Sequence, residues 1–89
     1  MEKTSLLNEV DKASFFIENI MNSENKGGLK EFIVDLDKLK LKVINNSLIN
    51  NPLRGFPRRY AEMYNGYFHP VTDVLNNIEK SVDDYLETN

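Results

Sequence analysis

Apolar residues fall along the chain in three seams with helical spacing. In the first, Leu6, Val10, Ala13, Ile17 and Ile20 recur at steps of four, three, four and three. That period places them on one face of a helix from about Thr4 to Asn22. Leu7, Phe16 and Met21 widen the face. Phe15 falls opposite it and is expected outside. Thr4 or Ser5 is the expected N-cap. The stretch NSENKGG follows, and Gly27 and Gly28 are expected to end the helix, since glycine accepts a positive φ at no steric cost.

The second seam comprises Leu29, Phe32, Ile33, Leu36, Leu39, Val43 and Ile44. It predicts a helix from about Leu29 to Asn46, with Val34, Leu41 and Leu48 extending the apolar face round the side. LKLKV at 39–43 alternates strictly, which is a strand signal. A hairpin of EFIVDL and KLKLKVI is therefore the rival reading. Asp37-Lys38 lacks the glycine that a tight hairpin turn usually needs, which favours the helix. Lys40 falls in the apolar sector and is expected to run its stem outward to water. The next stretch, NNSLINNPLRGF at 45–56, is rich in turn formers. Leu48, Ile49 and Leu53 within it are expected to plug the end of the core.

The third seam is the longest: Tyr60, Met63, Tyr64, Tyr67, Val71, Val74, Leu75, Ile78, Val82 and Tyr85. Its frame runs through Pro70 without a slip, and Pro57 suits a first helical turn. The pattern predicts one helix over about 57–87, kinked where Pro70 lacks an amide and crowds the preceding turn. The fold expected is a single all-α domain over 1–89, an up-down-up three-helix bundle. It becomes four helices if the chain breaks at Pro70.

Composition changes this picture mainly by exclusion. The chain has 89 residues, 40% of them hydrophobic, and no cysteine, so disulfides and thiolate chemistry are excluded. The N-terminus has no signal-peptide pattern and no run is apolar enough to span a bilayer, so a cytoplasmic location is expected. Twelve asparagines beside many lysines and isoleucines suggest AT-rich codons and a bacterial or phage source. Net charge is −3 and the isoelectric point is about 5.1, but the charge is unevenly spread. Residues 38–60 carry three lysines and three arginines with no acid, a net +6. They lie between a segment of −4 and one of −5.

All three arginines lie in NPLRGFPRRY, residues 51–60. Arg54, Phe56, Arg58, Arg59 and Tyr60 are the candidate partner-binding residues, because arginine and tyrosine are enriched at binding hot spots. Asp83, Asp84 and Glu87 form a second, acidic patch. They stand in a last helical turn, where the helix dipole disfavours them. In the expected bundle the arginine stretch shares an end with Glu2 and Glu9, its nearest carboxylates, and the acidic patch marks the other end, beside Lys26 and Lys30. The remaining tyrosines are expected to pack their rings in the core.

Catalytic chemistry finds no motif. The one histidine, His69, shares a face with Glu62 and Asp73, but that face is expected to be solvated and too poor in ligands for a metal site. No cofactor is expected. The function expected is therefore that of a non-catalytic helical protein that binds another protein, as an accessory, inhibitor or immunity-type factor. The pattern also admits a homo-oligomer. The alternative is nucleic-acid or phosphate binding through residues 54–60, against which stands the acidic balance of the whole chain.

Overall fold

Each apolar seam winds into helix. The computed structural model describes residues 2–65 and 69–88. Four α-helices follow in order: α1 (Lys3–Ser23), α2 (Lys30–Ile44), α3 (Phe56–Tyr64) and α4 (Pro70–Thr88). A single 3-10 turn, Gly27–Leu29, leads into α2. No strand occurs among the described residues, so the alternation in LKLKV is carried by a helix. Leu36, Leu39 and Val43 of that helix are fully buried, and burial of this seam outweighs the local strand pattern. None of the helices is long and apolar enough to cross a membrane.

The helix ends show what many of the asparagines do. Among the described residues, Asn25, Asn46 and Asn65 are the non-glycine residues with positive φ, at 55°, 56° and 53°. Asparagine tolerates this left-handed conformation better than other residues with a Cβ. At the end of α1, the Lys26 amide bonds the Met21 carbonyl at 3.0 Å across Asn25. At the end of α2, the Ser47 amide bonds the Lys42 carbonyl at 2.9 Å across Asn46. Both are Schellman closures, which satisfy carbonyls that a helix end leaves free. The expectation that Gly27 and Gly28 end α1 is corrected: Asn25 does so. The N-cap of α1 is Glu2, with no side-chain cap bond, rather than Thr4 or Ser5. Lys3 adds a cation at the foot of α2, donating to the Ile44 carbonyl at 3.1 Å and to Asn46 Oδ1 at 2.9 Å.

The long third helix expected from the seam is two helices. α3 stops at Tyr64, where Asn65 turns left-handed, and α4 starts at Pro70. Proline suits a first position because the missing amide would have had no partner there. His69 serves as the cap: its Nδ1 accepts the Val71 amide at 3.1 Å and its carbonyl accepts the Thr72 amide at 2.9 Å. The apolar frame runs on unbroken because α3 and α4 both turn their seams to one core. Residues 66–68, which the expected kinked helix would run through, lie outside the described residues.

α1 packs against both α2 and α4. Lys3 meets Asn46, and Asp11 meets Lys40 at 2.8 Å, so α1 and α2 run antiparallel. His69 meets Glu24, and Phe16 and Val74 line a common groove, so α1 and α4 are antiparallel too. The core holds Leu6, Val10, Ala13 and Ile17 of α1, and Phe32, Leu36, Leu39 and Val43 of α2. Leu53, Phe56 and Tyr60 join it, with Val71, Leu75, Ile78, Val82 and Tyr85 of α4. Phe15 is exposed, as its phase predicts. Ile49 is 84% exposed, so of the three expected plugs Leu53 alone is fully interior and Leu48 is half-buried. Met63, placed on the seam by spacing, is also exposed.

Candidate functional site

The segment 47–55 decides where the arginines go. It does not stay beside the start of α1 but runs up the side of α4. Asn51 fastens it. Its Nδ2 donates to the Glu79 carbonyl and to Asp83 Oδ1, both at 2.9 Å, and its Oδ1 accepts the Leu53 amide at 2.9 Å. Asn51 is 8% exposed, so these bonds replace water that the site does not admit. Leu53 is driven into the core, and Gly55 then takes φ 81° to redirect the chain into α3.

Each arginine consequently meets a carboxylate of its own chain, and none of these is Glu2 or Glu9. Arg54 Nη2 donates to Asp83 Oδ1 at 2.9 Å, and Arg58 Nε to Glu62 Oε1 at 3.0 Å. Arg59 Nη2 donates to Asp35 Oδ2 at 3.1 Å. The Arg59 guanidinium also lies over the rings of Phe32 and Phe56, 4.3 and 4.7 Å from their centroids. Such stacking suits a planar, weakly hydrated cation. Phe56 meets Phe32 edge-on at 5.1 Å. Phe56 and Tyr60 are both buried, so the aromatic half of the expected recognition strip is interior packing. Arg54 and Arg58 keep most of their side chains in water, whereas Arg59 is half-buried.

The acidic patch is not a separate pole. Asp83 joins Asn51 and Arg54, which brings the basic stretch and the acidic helix end together. Asp84 and Glu87 are exposed on the same last turns of α4. Lys26, expected beside them, sits at the far end of the bundle with Glu24.

There a cluster links three elements that the sequence does not connect. Lys26 Nζ donates to Tyr60 Oη at 2.8 Å and to Glu24 Oε1 at 2.9 Å. Glu24 in turn contacts His69 Nε2 at 2.9 and 3.0 Å. Because His69 Nδ1 accepts from Val71, the proton on its neutral ring belongs on Nε2, pointing at Glu24. Bonds from Lys26 and then His69 hold the Glu24 carboxyl below its ordinary value of 4.5. Lys26 is raised above 10.5, chiefly by its bond to Tyr60; burial opposes this, and the bond to Glu24 adds a lesser upward push. Lys26 also lies 5.4 and 5.3 Å from the ring centres of Tyr60 and Tyr64. The signal for this cluster lay in the one histidine preceding a helix-starting proline. His69, Glu62 and Asp73 do not converge: Glu62 serves Arg58 and His69 serves Glu24. Among the described residues no group of three metal-ligating side chains is placed to hold an ion.

Besides the separately exposed Phe15, Ile49 and Met63, the described residues form an apolar strip on α2 and an apolar groove. The outer face of α2 carries Val34, Leu41 and Ile44, at 41%, 59% and 46% exposure. Between α1 and α4 runs a groove of about 370 Å³, floored by Ala13, Phe16, Val74 and Ile78, with Glu9 and Lys12 among its polar neighbours. Comparisons with family models, curated proteins and solved structures found no match to this chain.

Proposed function

We propose that the protein is a non-catalytic binding module that docks on another protein in the cytoplasm of a bacterial or phage-infected cell. An accessory, inhibitor or immunity-type role fits that description. The observation that supports it is the outer face of α2. Val34 and Leu41 stand one heptad apart, with Ile44 beside them, on the side of the helix opposite its filled core face. An apolar strip that the core does not use is what a partner surface needs. The groups best suited to acid–base work, His69, Glu24, Lys26 and Tyr60, are bonded to one another across the bundle, which speaks for a structural use.

The test is affinity capture from producing cells with wild type and with V34E/L41E, followed by rebinding of the purified captured protein. A partner that binds wild type and loses at least tenfold in affinity for the variant supports the reading. Equal affinity for both removes α2 from it. The alternative, phosphate or nucleic-acid capture by residues 54–60, keeps Arg54 and Arg58 as largely exposed arginines, each already paired with a carboxylate, but loses Phe56 and Tyr60 to the core. Flat anisotropy with labelled DNA and RNA at low salt would eliminate it, since phosphate contacts are strongest there.

A further inference from the structure

We propose that the groove between α1 and α4 is a second recognition site, which takes a short protein segment bearing a basic side chain beside apolar ones. The proposal rests on the protein-binding reading but names a different surface from the outer face of α2.

Three features of the groove point to this ligand. Its floor is apolar, built from Ala13 and Phe16 on one helix and Val74 and Ile78 on the other. Apolar floors favour apolar side chains over water. The groove also contains Glu9, whose Oε2 is sheltered from solvent and has no hydrogen-bond donor among the described residues. A carboxylate oxygen kept from water without a donor is costly, so the half-buried Glu9 side chain gains by turning that oxygen toward a cation supplied by a ligand. Lys12 lies one turn along α1 from Glu9, yet makes no ion pair with it. It is exposed, whereas Glu9 is half-buried, so the acid lies deeper than the lysine.

Size sets the occupant. From Glu9 to Phe16 is two turns of helix, about 10 Å along the axis. An extended tripeptide is also about 10 Å long. The volume of about 370 Å³ lies at the lower end of the range for small-ligand sites. The groove therefore suits a few side chains of an extended segment, with a central Lys or Arg reaching Glu9 and apolar neighbours resting on Phe16 and Val74.

The test uses three acetylated, amidated tripeptides, Leu-Arg-Leu, Leu-Gln-Leu and Ser-Arg-Ser, titrated into ¹⁵N-labelled protein. Leu-Arg-Leu is expected to move the amide signals of Ala13, Phe16, Asn77 and Ser81, residues that line the groove. It should bind about tenfold more tightly than Leu-Gln-Leu, a difference of about 1.4 kcal/mol. Glu9→Gln, an isosteric change, should erase that preference. Lys12→Met, which removes the competing cation, should strengthen binding of Leu-Arg-Leu. Ser-Arg-Ser should bind worst, for want of apolar contact. The proposal is overturned if no tripeptide binds, if Leu-Arg-Leu and Leu-Gln-Leu bind alike, if E9Q keeps the preference, or if the shifts map elsewhere. The outcomes separate the two claims. If only the V34E/L41E variant loses its protein partner and the groove binds no peptide, protein binding stands and the groove falls. If neither surface binds anything, both fall.

Discussion

Asn51→Ala should be among the most destabilising single changes outside the apolar core. The side chain makes three hydrogen bonds, to the Leu53 amide, the Glu79 carbonyl and the Asp83 carboxylate. A bond between neutral groups contributes about 0.5–1.5 kcal/mol, and one to a charged group about 1.5–3 kcal/mol. Asp83 keeps Arg54 as a second partner and is partly in water, so its share belongs at the low end. Truncation also leaves the Leu53 amide buried without its acceptor. The expected loss is about 3 kcal/mol. For a chain of this size total stability is roughly 4–13 kcal/mol, so the change removes a large part of it. At about 4–8 °C per kcal/mol, Tm should fall by roughly 12–24 °C. Circular dichroism during heating and in urea reads both quantities. Asn51→Asp supplies the control. It keeps the acceptor for Leu53 but loses both donors and sets a second carboxylate against Asp83. Near neutral pH it should be no more stable than Asn51→Ala, and it should recover on acidification, because protonating one of two facing carboxylates removes their repulsion. A Tm for Asn51→Ala within 3 °C of wild type would refute the view that this residue fixes the path of the arginine stretch.

Arg59→Ala should cost about 1–2 kcal/mol through lost stacking and its bond to Asp35, while Arg54→Ala and Arg58→Ala each cost less than about 1 kcal/mol, as exposed pairs do; urea midpoints will rank them, and an equal cost for all three would contradict the geometry. Gly55→Ala should lose about 1–2 kcal/mol, because φ 81° is strained for a residue with a Cβ even though the space around it is open, and Gly55→Asn should lose less. Glu24 titrates below 4.5 in the folded chain, so the contribution of its bonds to stability is complete above 4.5 and disappears as pH falls through the lowered value; carboxyl NMR should place its midpoint below 4.5 in wild type, and Lys26→Met should move it up. A wild-type midpoint at or above 4.5 would show that Lys26 and His69 do not hold this carboxylate.

The periodic seams alone identify α1 and α2, mark the residues of α4 as helical without separating them from α3, and name most of the core. Leu6, Val10, Ala13 and Ile17, or Val71, Leu75, Ile78 and Val82, repeat at helical intervals, and burial of such a face needs no knowledge of what lies opposite. Lys40 was legible for the same reason: a lysine in an apolar sector must carry its charge outward, and it meets Asp11. The candidate site was less legible. Composition marked the arginine stretch as unusual, but not that Phe56 and Tyr60 would be interior or that Arg59 would lie over Phe32, twenty-seven positions earlier. The asparagines read as a codon signature, yet three of them stand in the left-handed conformation at helix ends. That role depends on where the neighbouring helix stops, which composition does not contain.

What the sequence determined by itself is therefore local: helical period, the side of each helix that must be buried, the absence of cysteine chemistry and the concentration of arginine in one segment. The tertiary structure decided what is non-local. It broke the third seam at Asn65 and Pro70, because two helices can share one core without being one helix. It drew residues 47–55 up along α4, because Leu53 had a place in the core and Asn51 had bonds waiting at Glu79 and Asp83. That single path turned a basic pole and an acidic pole into neighbours. Ion pairs depend on distances through space, and in this chain those distances are set by side chains about thirty residues apart in sequence.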